Sequence, residues 1–392
     1  MRVGIFTDTF YPRMNGVATS VLMLKENLEA MGHEVFVFTT TDPDAPKDER
    51  NVIRVPSIPF KTQRLGTFIS PALRRYVKGL RLDVIHTHTE YTLGIFGSMM
   101  AKSLGIAFVH TMHTLYEDYT DYIFKMHRLE PAAKNFARRL TRTFCNMADE
   151  VIVPTQKVLR LVKSYGVWRN VSIIPSGIEL VRFAPEGRDT AAISGLRQGL
   201  GIKDGDRVLV SVGRVAKEKN LDEMILSLRD FLIKRSEVKL FIVGDGQERL
   251  RLEELCREEG LSEKVFFVGA KPWREVGLYY GMADAFVAAS SSETQGLTYI
   301  EALASGLPVV AKWDECLEGV VLDGKNGFTP HDMCEFPGAV SALLDDEAQR
   351  AEFSLCARAV AAEFSAQLYA LRVQNLYLKM NRRMTRKWYR AG

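Results

Sequence analysis

The sequence contains no run of about eighteen apolar residues, the length a helix needs to cross a bilayer, so no transmembrane span is expected. Its five cysteines (Cys145, Cys256, Cys316, Cys334 and Cys356) are odd in number and scattered, with no C-x-x-C pair and no His/Cys cluster. That argues against a disulfide framework and a zinc site, and fits reduced thiols in a cytosol. The opening Met1-Arg2-Val3-Gly4-Ile5-Phe6 lacks the apolar core of a signal peptide and reads as a strand. G-x-G-x-x-G follows no strand-like run, which removes the main support for a dinucleotide dehydrogenase. Gly244-Asp245-Gly246 is its nearest imitation, and we read a tight turn there. A net charge of +4 is too small to argue for nucleic acid, and no aromatic stacking platform accompanies the basic residues. Acidic residues are missing from positions 375–392, which hold Lys379, Arg382, Arg383, Arg386, Lys387 and Arg390.

What is present is an alternation of strand-like and helix-like segments along 392 residues, enough chain for two domains. Strands are expected near 2–6, 34–39, 52–55, 83–87, 106–111, 150–153 and 171–174, and again near 207–212, 238–243, 265–268, 284–288 and 307–310, with helices between them. Such alternation is the signature of parallel sheets with crossover helices, so the expected class is α/β with two Rossmann-like units facing a cleft. The seam falls near Pro175-Ser176-Gly177-Ile178-Glu179, and a poorly patterned stretch runs on to about residue 206. We therefore expect domains over 1–178 and 179–364, with a helix and basic tail over 365–392 that crosses back to the first domain.

Residues Glu293-Thr294-Gln295-Gly296-Leu297-Thr298-Tyr299-Ile300-Glu301 set two carboxylates across a glycine turn that opens a helix. A helix beginning near Gly296 offers unpaired amides and a positive dipole end to an anion such as phosphate. Glu293 then lies beyond one side of the anion, and Glu301 is placed as a hydroxyl acceptor on the other, which is the layout of a sugar nucleotide. The buried run Ala283–Ser290 before it puts this turn at the carboxyl end of a strand, where open α/β sheets bind ligands. In the same half, Val212-Gly213-Arg214 ends a strand, Lys219 follows one loop later, and Asn220 is placed to cap the next helix. Two cations on one diphosphate would stabilise the charge that develops as it departs. In the first half, the loop Phe10-Tyr11-Pro12-Arg13-Met14-Asn15-Gly16 brings a glycine to a helix start. His86 and His88 share one strand face, but no further ligand is evident, so packing or hydrogen bonding is expected of them. His113, beyond the 106–111 strand, is the better catalytic candidate. Asp42-Pro43-Asp44 and Asp204-Gly205-Asp206 read as polar turns and not as metal sites.

With these residues in view, the chain resembles the retaining GT-B glycosyltransferases of family 4 over nearly its full length. The resemblance rests on the Pro12–Gly16 loop, Val212-Gly213-Arg214 with Lys219, and Glu293 through Val310. It implies a nucleotide diphosphate sugar held mainly by the second domain, an acceptor held mainly by the first, and no catalytic metal or other cofactor. Carried across, Arg214 and Lys219 hold the diphosphate, supported by Gly16 and the amides of Gly296, Leu297 and Thr298. Glu301 accepts from ribose, while Glu293 and His113 face the transferred sugar. Many members have Gly-Phe after the first glutamate; this chain has Thr294-Gln295. That variant, with His113-Thr114-Leu115-Tyr116-Glu117-Asp118-Tyr119, looks like the bacterial diacylglycerol glucosyltransferases that build membrane glycolipids, with Leu115 in place of an expected Met. UDP-glucose and diacylglycerol are the substrates implied, with Tyr116 and Asp118 on the acceptor side.

Cations interleave with Phe, Ile, Leu and Met between 122 and 147, and Arg74, Arg75, Lys78 and Arg81 add a second basic stretch. A basic amphipathic helix of this kind lies in the headgroup region of an anionic bilayer, or else is a solvated face over an ordinary buried stripe. The segments near 122–147 and 375–392 make the inner face of the cell membrane the expected location. The rival readings are a family 4 transferase with another sugar or a soluble acceptor, a UDP-sugar epimerase, and a sugar-nucleotide sensor without catalysis.

Overall fold

A computed structural model describes residues 1–60, 63–67, 69–114 and 130–391 of the chain. It divides into two compact units, Met1–Ile178 with Ala366–Gly392, and Glu179–Ser365. The first carries β1 (Arg2–Phe6), β2 (Glu34–Thr40), β3 (Val52–Val55), β4 (Ser57–Phe60), β5 (Gln63–Gly66), β6 (Val84–Thr87), β7 (Ala107–Thr111), β8 (Glu150–Val153) and β9 (Asn170–Ile173). Seven of these form a sheet in the order β3-β2-β1-β6-β7-β8-β9, with every neighbouring pair parallel, and β4 and β5 form an antiparallel hairpin. The second unit carries β10 (Arg207–Val212), β11 (Val238–Val243), β12 (Val265–Gly269), β13 (Ala285–Ala288), β14 (Val309–Ala311) and β15 (Gly327–Phe328). They form a parallel sheet in the order β12-β11-β10-β13-β14-β15.

Parallel strands are covered on both faces, so they are written as continuous apolar runs and not as alternating ones. Val208, Leu209 and Val210 on β10 are all fully buried, as are Val3, Ile5 and Phe6 on β1. Each sheet reverses its strand order once, between β1 and β6 and between β10 and β13. Loops leaving the carboxyl ends of strands at such a reversal splay apart and leave a crevice. These two places are where functional side chains collect.

In the first unit, Val3 and Ile5 pack into one cluster with Val21, Leu24 and Leu28 of the helix Gly16–Ala30 and with Tyr369, Val373 and Tyr377 of the helix Ala366–Ala391. The C-terminal helix thus covers one face of the first sheet. Its tyrosines also bond inward: Tyr369 Oη to Ser20 Oγ at 3.0 Å and Tyr377 Oη to His86 Nδ1 at 2.6 Å. Phe6, Phe38, Phe96 and Phe144 fill the opposite face.

The structure holds elements absent from the sequence reading, the short strand β15 among them. A helix, Thr190–Gly199, occupies part of the stretch read as poorly patterned. Gly195 and Gly199 blur its period, but Asp189 starts it by accepting from Ala192 N at 2.9 Å. The β4–β5 hairpin is also unannounced, because Ile58-Pro59-Phe60 and Gln63-Arg64-Leu65 lack a clean alternation. No helix among the described residues is long and apolar enough to cross a membrane.

Tyr377→Phe leaves His86 Nδ1 buried without its partner, and we expect it to remove about 1–3 kcal/mol of stability. Tyr369→Phe should cost less, because Ser20 and Ser176 still bond each other at 2.9 Å. Urea unfolding followed by tryptophan fluorescence checks the order.

Candidate active site

The second unit's crevice is bounded by the loops after β10 and β13. After β10 the backbone is braced by its neighbour: Gly213 N donates to Val243 O at 3.0 Å and Val215 N to Asp245 O at 3.0 Å. A Cβ on Gly244, whose φ is +147°, would stand 1.8 Å from the Gly213 carbonyl oxygen. Gly244-Asp245-Gly246 therefore does more than turn the chain after β11, since its bare backbone seats the loop that carries Arg214. Lys217–Lys219 makes one short 3₁₀ turn that delivers Lys219.

Asn220 corrects a sequence expectation. It occupies the N-cap position of the helix Leu221–Lys234, but its backbone is left-handed, φ +47° and ψ +40°, and its side chain caps nothing. Nδ2 instead donates to Ala289 O at 3.2 Å and Ser291 Oγ at 3.0 Å, tying the loop after β10 to the loop after β13.

Arg214, Lys219, Glu293 and Thr298 line one pocket with Ser290 and Tyr299. Each cation meets a carboxylate: Arg214 pairs with Glu218, and Lys219 Nζ donates to Glu293 Oε1. The helix Leu297–Ala304 opens at the same pocket. Gly296 precedes it at φ +70°, and a Cβ there would stand 2.3 Å from Tyr299 Cδ2. Only glycine takes that backbone without strain, so the turn aims the first amides of the helix and its positive end at the pocket. Thr294 is half-buried and Gln295 buried.

Glu301 lies deeper, 8% exposed, with Oε2 accepting from Tyr280 Oη at 2.8 Å. Burial pushes its carboxyl up to about 7, against which the tyrosine bond acts. Burial, with the Glu301 charge, holds the Tyr280 hydroxyl well above its usual range. Tyr280 and Glu218 were missed by the sequence reading. The i,i+4 spacing of Glu218 from Arg214 was a usable signal; nothing local marks Tyr280 as a partner of Glu301.

Gly16 and His113 belong to the first unit. Gly16 is the exposed first residue of its helix, behind Asn15, whose Oδ1 accepts from Ala18 N at 2.9 Å. His113 follows β7, with Nε2 at 2.9 Å from His88 Nδ1. His86 is bonded on both nitrogens, to Tyr377 and to Thr111 Oγ1 at 2.6 Å, and His110 Nε2 lies 3.2 Å from Glu90 Oε1. The helix that starts behind β6, Thr92–Leu104, has its N-terminus filled from within by Asp8, which accepts from Leu93 N at 3.2 Å and Thr89 Oγ1 at 2.6 Å. No group of side chains among the described residues has the geometry of a metal site. Tyr116 and Asp118 lie outside the described residues, as do positions 122–129 of the first basic segment. On the helix Glu130–Met147, Ala133, Ala137, Thr141 and Phe144 are buried, while Phe136, Leu140 and Met147 are exposed beside Arg138, Arg139 and Arg142.

Gly296→Ala combines a left-handed residue with a steric overlap, and we expect it to cost about 2 kcal/mol or more. Gly319→Ala, at φ +76° with nothing within 4 Å, should cost about half as much. Thermal melts of the two variants give the comparison. For Glu301 the folded chain keeps a proton that the unfolded chain releases near 4.5, so stability declines as pH rises from 4.5 to about 7. Glu301→Gln should flatten that part of the decline in melts recorded across the window.

Residues 14–182 match the family described as Glycosyltransferase Family 4, and residues 193–360 match Glycosyl transferases group 1. The alpha-monoglucosyldiacylglycerol synthase of Streptococcus pneumoniae is 38% identical over 382 residues, covering 96% of this chain and 86% of that one. The Acholeplasma laidlawii enzyme of the same name is 35% identical over 399 residues, covering 99% and 100%. Among solved structures, Anabaena HepE in complex with UDP and glucose superposes with a TM-score of 0.76 at 19% identity, covering 97% of this chain and 100% of that one. Two units of parallel sheet, each matched by its own half of the family, and relatives of this identity over almost the whole length lead to one assignment: the chain belongs to the family 4 glycosyltransferases of GT-B fold.

Proposed function

We propose that this enzyme transfers glucose from UDP-glucose to the free hydroxyl of 1,2-diacylglycerol with retention, giving an α-glucosyl lipid. The observation that carries the reading is the pocket at the β10/β13 reversal, where Arg214, Lys219 and a glycine-opened helix N-terminus converge beside Glu293. A diphosphate there is met by two cations and by the amides of Gly296, Leu297 and Thr298. The names of the two relatives support the sugar and the lipid.

In this account Glu301 accepts from the ribose hydroxyls, and Glu293 orients the glucose. The departing β-phosphate carries the negative charge that Arg214 and Lys219 stabilise. It also receives the proton of the attacking lipid hydroxyl, so that hydroxyl enters on the face the phosphate leaves. The C1–O bond to phosphate breaks, the C1–O bond to lipid forms, and UDP departs without a side chain becoming covalently attached. Charge neutralisation falls to arginine and lysine, so no divalent cation is required.

Membrane contact is assigned to the stripe Phe136, Leu140 and Met147 on the helix Glu130–Met147, flanked by arginines, and to the basic segment near 375–392. Apolar side chains between cations suit an anionic headgroup layer. The location that follows is peripheral, on the inner face of the cell membrane.

Incubation with radiolabelled UDP-glucose and diacylglycerol micelles should yield a labelled lipid that organic solvent extracts, in the presence of EDTA. Label that stays water-soluble would contradict the acceptor, and EDTA inhibition would contradict the metal-free route. Arg214→Ala and Lys219→Ala should each lower kcat/KM by about 100- to 1,000-fold. For the membrane stripe, Phe136→Ser with Leu140→Ser should reduce co-sedimentation with anionic liposomes while UDP affinity is unchanged; equal sedimentation would reject the stripe.

A further inference from the structure

Tyr280 lies on the short helix Val276–Gly281 and is fully buried. Its ring packs against Phe183, at 5.8 Å between centres, and Phe286, at 6.0 Å. Held this way, its Oη lies 2.8 Å from Glu301 Oε2 and 3.4 Å from Thr298 O, two acceptors on the helix Leu297–Ala304. A hydroxyl has one proton to give, and the nearer acceptor, a carboxylate when ionised, makes the stronger bond. Burial and the Glu301 charge hold the Tyr280 hydroxyl well above its usual range, so it stays a donor.

Glu301 depends on that bond. The last torsion of a glutamate is broad and roughly two-fold, so a carboxyl that nothing holds turns readily. Among the described residues, the hydrogen bond from Tyr280 is the one that reaches this carboxyl, and no cation pairs with it. With Oε2 held, Oε1 is the oxygen that remains for a ligand. Burial pushes the carboxyl up to about 7, and the tyrosine bond acts against burial. One contact thus orients the group and keeps it an acceptor near neutral pH.

We infer that Tyr280 is a positioning residue: by holding Glu301 Oε2 it presents Glu301 Oε1 as an oriented acceptor, and so makes the second unit select ribose over deoxyribose nucleotides. The inference rests on the placement of Glu301 at the ribose proposed above, and both residues belong to the second unit. Removing the tyrosine hydroxyl leaves Arg214 and Lys219 as they are. The loss is therefore confined to the part of the affinity that the ribose hydroxyls supply.

Calorimetric titration of UDP and of 2′,3′-dideoxy-UDP tests this. The ratio of the two dissociation constants reads the hydroxyls alone, because both nucleotides carry the same phosphates. The parent enzyme should prefer UDP by about tenfold or more. Tyr280→Phe keeps the packed ring and should cut that preference by about fivefold, weakening UDP while dideoxy-UDP binds as before. In the parent the preference should grow between about pH 6 and about pH 8 as Glu301 ionises, and Tyr280→Phe should move that growth to higher pH. Added to Glu301→Gln, Tyr280→Phe should leave the preference where it stands.

Equal weakening of both nucleotides by Tyr280→Phe, or a preference and pH dependence like the parent's, would overturn the positioning role. A parent enzyme that binds the two nucleotides equally sinks the ribose placement, and the selectivity with it. The hold on the carboxylate is read separately, without ligand, in enzyme carrying glutamate 13C-labelled at the side-chain carboxyl. The resonance missing from Glu301→Gln should titrate at higher pH in Tyr280→Phe than in the parent. An unmoved midpoint would show that Tyr280 does not control Glu301, whatever the enzyme binds.

Discussion

The ion pair between Lys219 and Glu293 joins the loop after β10 to the loop after β13, and the second unit's pocket takes its form from that junction. A cation aimed into a pocket next to a helix N-terminus is electrostatically unfavourable unless something negative stands near it. Glu293 supplies that charge for Lys219, as Glu218 does for Arg214. Asn220 adds a neutral tie between the same two loops. The fold thus places the cations, and under the proposed function a diphosphate replaces a carboxylate as their partner. Such exchange involves little reorganisation, which is what electrostatic preorganisation requires.

Beneath the pocket, the sheet provides the rigidity. Strands buried on both faces leave little freedom to their ends, and the backbone contact of Gly244 against Gly213 keeps the Arg214 loop from relaxing. The equivalent reversal in the first unit is used differently. There the carboxylate of Asp8 occupies the helix N-terminus and the carboxyl ends of β6 and β7 gather histidines. One architecture, used twice, presents cations beside a helix N-terminus in one unit and a cluster of histidines in the other.

Much of this was legible in the sequence for a physical reason. Parallel strands must be apolar throughout, so runs such as Val208–Val212 announce themselves, and a glycine before a helix start marks Gly296. The C-terminal helix was placed on the first unit because the second sheet was complete before it began. What stayed hidden depends on tertiary register. The contact of His88 with His113 needs β6 beside β7 with Thr87 opposite His110, and the bond from Tyr280 to Glu301 needs two helices to pack. Asn220 misled because its type suits an N-cap while its left-handed backbone turns the side chain elsewhere. Thr190–Gly199 was hidden by two glycines and small side chains that weaken the helical period.

The central claim is that Glu293 holds Lys219 for a diphosphate and yields it on binding. Calorimetric titration of UDP into the parent enzyme and into Glu293→Gln tests this most directly. Without the competing carboxylate Lys219 is available at once, so UDP should bind several-fold more tightly to Glu293→Gln even as glucosyl transfer falls. Unchanged or weaker UDP binding by that variant would contradict the account.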